Sequence, residues 1–289
     1  MVITEKNVPL WQKTTFRIGG PADTLLYPES AEELASLMKK KQPFFILGGG
    51  SNILIADKGI RGTTISLTRG FAELKIEKLE NGFVKVCVGA GASLTQTSSA
   101  MMKNSIAGLQ FAYGIPGTIG GALIMNAGAA GGEMMDVVEA VTIVTQAGEI
   151  KTLNKNECRF SYRSSGFPKG CVITGAVLQL KTGDKEKIHD DMKQKYINRK
   201  SKQPLELPSA GSIFKNPEGN FAGRLIEETG LKGAKHGGAE VSEKHANFIV
   251  NRGGAKATDV ICLMETIEEA VNKKFGITLK REIKLAGEF

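Results

Sequence analysis

Asn104-Ser-Ile-Ala-Gly-Leu-Gln-Phe-Ala-Tyr-Gly-Ile-Pro-Gly-Thr-Ile-Gly-Gly-Ala-Leu-Ile-Met-Asn-Ala-Gly-Ala-Ala-Gly-Gly132 runs for 29 residues without a charged side chain. A bilayer crossing needs only about 20 apolar residues, so length alone allows a membrane span. Eight glycines, Pro116, Gln110 and Asn126 exclude a continuous helix facing lipid. The reading is a buried loop of a protein with no membrane contact. Within it, Tyr113-Gly-Ile-Pro-Gly-Thr-Ile-Gly-Gly-Ala122 places glycine at nearly every third position, letting main chain approach a large planar or extended ligand. Tight packing of two protein layers would use the same glycines; the lack of any charge favours the ligand.

The segments on either side are ordinary in pattern. Ser30-Ala-Glu-Glu33 has the capping-box form and opens a helix that Pro43 ends. Phe44–Leu47 is a short buried strand running straight into Gly48-Gly-Gly-Ser-Asn52. Phe83–Val88 alternates as a strand, and Ser93-Leu-Thr-Gln96 opens a helix ending near Asn104. Val137–Thr145 and Ile150–Leu153 form a hairpin, and Val172–Lys181 is a further strand. A polar helix begins at Gly183-Asp184, with Ile188, Met192 and Tyr196 on one face, and runs into a domain boundary near Arg199-Lys-Ser-Lys-Gln-Pro204. The last segment alternates: helix Ala222–Thr229, strand Asn247–Asn251, helix Thr258–Lys274 and strand Ile277–Leu285. In that last strand Ile277, Leu279, Arg281, Ile283 and Leu285 share one face and Thr278, Lys280, Glu282 and Lys284 the other.

Composition sets wider bounds. Hydrophobic residues make up 41% and charged residues 24% of 289, which excludes disorder. Glycine stands at 35, about 12%, against a usual value of about 7%. The net charge of +8 attracts anions such as nucleotides or phosphates. With aromatics at 6% and no interleaving of basic and aromatic residues, nucleic acid is not the expected partner. Cys87, Cys158, Cys171 and Cys262 include no C-x-x-C pair, and His189, His236 and His245 show no metal-ligand spacing, so no metal is expected and the thiols read as reduced. The N-terminus, broken by Glu5, Lys6 and Pro9, carries no export signal, which makes the expected location cytoplasmic.

Four short strings carry candidate chemistry. Gly48-Gly-Gly-Ser-Asn52 follows a strand, where successive N–H groups can curl round a pyrophosphate; a flexible turn is the alternative, and neither G-x-G-x-x-G nor the P-loop string fits. Ser161-Tyr-Arg-Ser-Ser-Gly-Phe167 sets Arg163 among hydroxyls and aromatics, as for a carboxylate or phosphate, or as an ordinary loop arginine. Ser209-Ala-Gly-Ser-Ile-Phe-Lys-Asn-Pro217 offers Ser212 to move a proton and Lys215 and Asn216 to hold phosphate, or is a capped turn. Glu282 by itself is only one charge on an exposed face.

Taken in order, Thr15-Phe-Arg-Ile-Gly-Gly-Pro-Ala-Asp23, Gly48–Asn52, Tyr113–Gly121, Tyr162-Arg-Ser-Ser165, Gly211-Ser-Ile-Phe-Lys-Asn-Pro217 and Val241-Ser-Glu-Lys-His-Ala246 resemble the UDP-N-acetylenolpyruvoylglucosamine reductase family over almost the whole chain. The resemblance implies an α+β protein. A two-lobed FAD-binding fold of the vanillyl-alcohol-oxidase type would occupy residues 1–68, joined by the tail 275–289, and residues 69–183. A C-terminal α+β substrate-binding domain would occupy 184–274. It implies FAD as cofactor, NADPH as co-substrate and a nucleotide-sugar substrate; the sequence does not fix the oligomeric state, and a monomer is favoured. Lys202 lies only 39 residues after Arg163, which matches the shorter, second type of the family, without the inserted tyrosine-bearing loop.

By motif match, Arg163 and Glu282 would stabilise charge on the substrate, and Ser212 would donate the proton that follows hydride from flavin N5. Lys202, Lys215 and Asn216 would hold the diphosphate. Arg17, Gly48, Gly49, Gly50, Ser51, Asn52, Pro116, Gly117, Thr118, Gly120 and Gly121 would contact FAD. An FAD-dependent oxidase or dehydrogenase of the same fold, acting on a sugar or hydroxy acid, is the rival reading.

Overall fold

A computed structural model describes residues 2–289. In chain order the strands are β1 (Ile3–Pro9), β2 (Pro21–Tyr27), β3 (Phe44–Leu47), β4 (Ile53–Ile55), β5 (Ile60–Ser66), β6 (Leu74–Lys78), β7 (Phe83–Gly89), β8 (Ile106–Ala107), β9 (Gly128–Ala129), β10 (Gly132–Glu133), β11 (Val138–Val144), β12 (Ile150–Asn154), β13 (Val172–Thr182), β14 (Ser209–Ser212), β15 (Lys235–His236), β16 (Ala239–Val241), β17 (Phe248–Asn251) and β18 (Lys284–Ala286). The helices are α1 (Ala31–Lys39), α2 (Leu94–Lys103), α3 (Ile119–Ile124), α4 (Lys185–Lys202), α5 (Ala222–Glu228) and α6 (Ala257–Phe275). Strands β1, β2, β5 and β3 form one sheet in that order. Ser30 and Ser93 cap α1 and α2 as their spacing predicts, each accepting from the N–H three residues on.

Contacts divide the described residues into two compact units, the first made of residues 2–5, Leu25–Gly49 and Thr64–Asn198, the second of Lys6–Thr24, Gly50–Thr63 and Arg199–Phe289. In the first unit β12, β11, β13, β7 and β6 make an antiparallel sheet, with β8 added to β13. Val84 and Val86 of β7 and Leu178 and Leu180 of β13 face inward, where Leu94 and Met101 of α2 join the same core. In the second unit the sheet runs β14-β17-β16-β15, and β18 pairs in parallel with β4. Val260, Met264, Ile267 and Val271 recur on one face of α6 and bury it in that unit's core.

The structure corrects two sequence expectations. The charge-free run is not all loop, because Ile119–Ile124 is helical: the Thr118 hydroxyl accepts from Gly121 N, and that cap offsets two glycines over a single short stretch. The final strand shrinks from Ile277–Leu285 to Lys284–Ala286, and Leu285 is 40% exposed instead of inward. The cause lies just before it, where Glu282 N and Ile283 N both reach the Ile213 carbonyl (2.7 and 3.3 Å) and break the two-residue alternation.

Candidate functional site

Strand β3 delivers the chain into Gly48 and Gly49, which lie in the first unit against Gly117 and Thr118. A methyl placed on Gly49 would sit 2.6 Å from Gly117 Cα, and one on Gly48 would sit 3.0 Å from Thr118 Oγ1. Two main-chain segments therefore abut with no side chain between them, and Gly48, Gly49 and Gly117 remain partly exposed. Packing, the alternative use of these glycines, is thus real at Gly49. The same bareness leaves a surface of uncharged backbone beside exposed Pro116 and Gly121, the kind of surface that an extended pyrophosphate can approach closely. Residues Gly120 and Gly121 offer that surface no spare N–H, since they donate to Ala90 O (2.8 Å) and Thr118 Oγ1 (3.4 Å). In the second unit Gly50 takes φ +62°, and a Cβ there would lie 2.1 Å from the Lys13 carbonyl, so only glycine fits.

Arg163, in the first unit, is half-buried at the third position of the turn Ser161–Ser164, which closes by reciprocal backbone bonds of 3.0 and 3.1 Å. Its guanidinium donates from Nη2 to Gly128 O at 2.7 Å and lies 5.4 Å from the centre of the Tyr162 ring. Nearby, Ser165 Oγ donates to Ile124 O at 2.7 Å.

Ser212, Lys215 and Glu282 come together in the second unit although 67 to 70 residues separate the last from the others. Gly211, at φ +76°, shifts the register between β14 and β17, so the strand bulges just before Ser212. Beyond it Phe214 bridges Arg281, Lys215 N donates to Lys280 O (2.8 Å) and Glu282 N donates to Ile213 O (2.7 Å). Asn52 holds the same tail from the glycine loop: its Nδ2 donates to Glu282 O (3.2 Å) and its carbonyl accepts from Lys284 N (3.1 Å). On α6, Glu268 takes both Arg281 Nε (2.5 Å) and Nη2 (2.7 Å), a fork that fixes the residue before Glu282. Glu282 is half-buried here rather than on a fully solvated face. The Ser212 hydroxyl makes no hydrogen bond to a protein group among the described residues, while Asn216 Oδ1 accepts from Ala222 N (3.0 Å) and caps α5.

Arg17 is exposed, with φ +55°. Its backbone is held by Asn251, whose Nδ2 donates to Phe16 O and Arg17 O (3.2 and 3.3 Å). Lys202 is exposed at the end of α4.

Three buried amides escaped the sequence reading. Asn126 bridges Ser161 O and Met135 N, Asn247 clamps both N–H and C=O of Phe214 (2.9 and 2.8 Å), and Asn251 holds the Arg17 turn. The available signal was an asparagine set among apolar residues, as in Met125-Asn-Ala127, Ala246-Asn-Phe248 and Val250-Asn251. No group of metal-binding side chains occurs among the described residues. All four cysteines are free, and burial pushes the Cys158 thiol up to about 11. Burial likewise lowers the His245 imidazole below its ordinary value. No helix among the described residues is long and apolar enough to cross a membrane.

Known proteins match both parts of the chain. Residues 203–286 fit the family described as the UDP-N-acetylenolpyruvoylglucosamine reductase C-terminal domain, and residues 22–154 fit the FAD binding domain family. A UDP-N-acetylenolpyruvoylglucosamine reductase of Caldanaerobacter subterraneus subsp. tengcongensis is 46% identical over 98% of this chain and 93% of its own length. That of Clostridium tetani is 44% identical over 95% and 89%. Among solved structures, the UDP-N-acetylenolpyruvylglucosamine reductase of Thermus caldophilus superposes with a TM-score of 0.85 at 37% identity, covering 99% of each chain.

Proposed function

The chain belongs to the UDP-N-acetylenolpyruvoylglucosamine reductase family, and from that premise we propose how its own residues carry the reaction. It is an oxidoreductase with an FAD-binding domain, serving peptidoglycan precursor synthesis. When bound, FAD would supply the chemistry that carries hydride from NADPH to the methylene carbon of the enolpyruvyl ether. Arg17, Gly48–Asn52 and Pro116–Thr118 would hold the cofactor, largely through main chain, while Gly120 and Gly121, whose N–H groups are engaged within the protein, would lend only bare backbone for its close approach. The three-part division of the chain at residues 68, 183 and 274 belongs to the same proposal.

Hydride addition leaves negative charge on the carbon beside the substrate carboxylate. Arg163 binds that carboxylate and offsets the charge, and Glu282, in its protonated form, donates to it. Ser212 gives the carbon its proton. A neutral alcohol is a weak acid, so it serves only a strongly basic partner held within hydrogen-bond reach. Lys202, Lys215 and the Asn216 amide nitrogen take the diphosphate; Asn216 Oδ1 is already engaged with α5.

The 2.7 Å bond from Glu282 N to Ile213 O carries this reading, because it sets two residues of opposite chain segments beside one another next to the Ser212 hydroxyl, which makes no hydrogen bond to protein among the described residues. The test is stopped-flow absorbance of Ser212→Ala. Bleaching near 450 nm by NADPH stays near normal, and reoxidation by the enolpyruvyl substrate slows by about 10²–10⁴-fold, the usual contribution of a placed proton donor. Equal slowing of both half-reactions makes Ser212 structural and ends its assignment.

A further inference from the structure

Arg163 sits where arginine is seldom found. Its φ is +48° in a turn whose third position ordinarily takes glycine or asparagine. Such a conformation is strained for a side chain of this size and persists only where the surroundings impose it. Here the surroundings are residues 124–128. Asn126 is fully buried, and its own φ of +41° is one that asparagine tolerates. Its Oδ1 accepts from Met135 N (2.9 Å), which fixes the amide, and its Nδ2 donates to Ser161 O (3.1 Å). That carbonyl is the one that accepts from Ser164 N and closes the Arg163 turn. Ser165 Oγ to Ile124 O and Arg163 Nη2 to Gly128 O complete three attachments to the same five residues.

We propose that Asn126 is the positioning residue of Arg163: its buried amide sets the turn, and through it the guanidinium, in the orientation that binds the substrate carboxylate. The proposal rests on reading Arg163 as the carboxylate ligand. Asn126 is fully buried, and its amide is engaged with Ser161 O and Met135 N. Its loss leaves the arginine present and charged but held by two attachments instead of three, and a displacement of about 1 Å in a reacting constellation costs up to about 10²-fold.

The experiment is a double-mutant cycle on the FAD-loaded protein, with Asn126→Gly, which keeps the backbone conformation and removes the amide, Arg163→Ala and the pair. Both half-reactions are followed by flavin absorbance. Asn126→Gly should leave NADPH-driven bleaching within about twofold and slow substrate-driven reoxidation by about 10- to 100-fold, with the apparent substrate Kd raised. In the Arg163→Ala background it should add less than about twofold. Multiplicative effects, or equal slowing of bleaching, overturn the proposal. Normal reoxidation in Arg163→Ala alone refutes the carboxylate-ligand reading itself, a distinct outcome. If Asn126→Gly does not load FAD, Ser165→Ala, which cuts the second attachment, takes its place: KM for the enolpyruvyl substrate should rise with KM for NADPH unchanged, and an unchanged substrate KM overturns the proposal.

Discussion

Gly49→Ala separates the two uses of a glycine-rich loop. The added methyl would meet Gly117 Cα at 2.6 Å and Gly117 C at 3.0 Å, against a comfortable carbon–carbon separation of about 3.5–4.0 Å. Both atoms are backbone, so relief requires the two segments to part by about 1 Å. Overpacking of that kind costs about 1–3 kcal/mol, and for a unit of this size each kcal/mol lowers Tm by about 2–4 °C. A fall of about 2–12 °C follows from geometry alone. The displaced loop should also lose at least one hydrogen bond to the pyrophosphate, about 1.5–3 kcal/mol for a charged acceptor, or about tenfold or more in the FAD Kd. Gly48→Ala is the control, because its methyl would meet only the Thr118 hydroxyl at 3.0 Å, and the side chain can turn away. Differential scanning fluorimetry of the apoprotein and titration with FAD read the two effects separately. Wild-type Tm and FAD affinity in Gly49→Ala would show that the abutting glycines are loosely packed and would refute the reasoning.

Asp57→Ala should lower stability by about 1–2.5 kcal/mol, since its carboxylate accepts from Ala257 N (2.7 Å) and from Thr258 N and Oγ1 (3.2 Å each) at the start of α6. Hydrogen exchange should quicken first in that helix turn, and unchanged protection would refute it. Glu240, 3% exposed, is held below its ordinary carboxylate value chiefly by the hydrogen bond from Arg252 at 2.6 Å. A folded value below the unfolded one means the stabilisation is present above pH 4.5 and is lost as pH falls through the folded value. Glu240→Gln should therefore melt below wild type at pH 7, with the gap closing in acid; a gap constant with pH contradicts the pairing. Cys158, pushed up to about 11 by burial, should resist iodoacetamide at neutral pH until urea exposes it, as peptide mass spectrometry would record.

The sequence by itself determined what depends on neighbours within a few residues. Ser30 and Ser93 announced their helices, the β11–β12 hairpin lay open in its alternation, and the long helix read over Thr258–Lys274 is α6 to within a residue at each end. Thr118 was a cap that eight glycines disguised, and the tail misled because its alternation broke at Ile213, a partner 70 residues away in the chain. Only tertiary structure decided that Gly49 backs onto Gly117, that Asn52 grips the Glu282 segment, and that Asn126 closes the Arg163 turn. Caps and periodicities are contacts between residues at most four apart, which the order of letters spells out. A buried amide or a bare glycine takes its meaning from whatever the folded chain brings against it, and that partner is fixed by burial and packing rather than by position in the sequence.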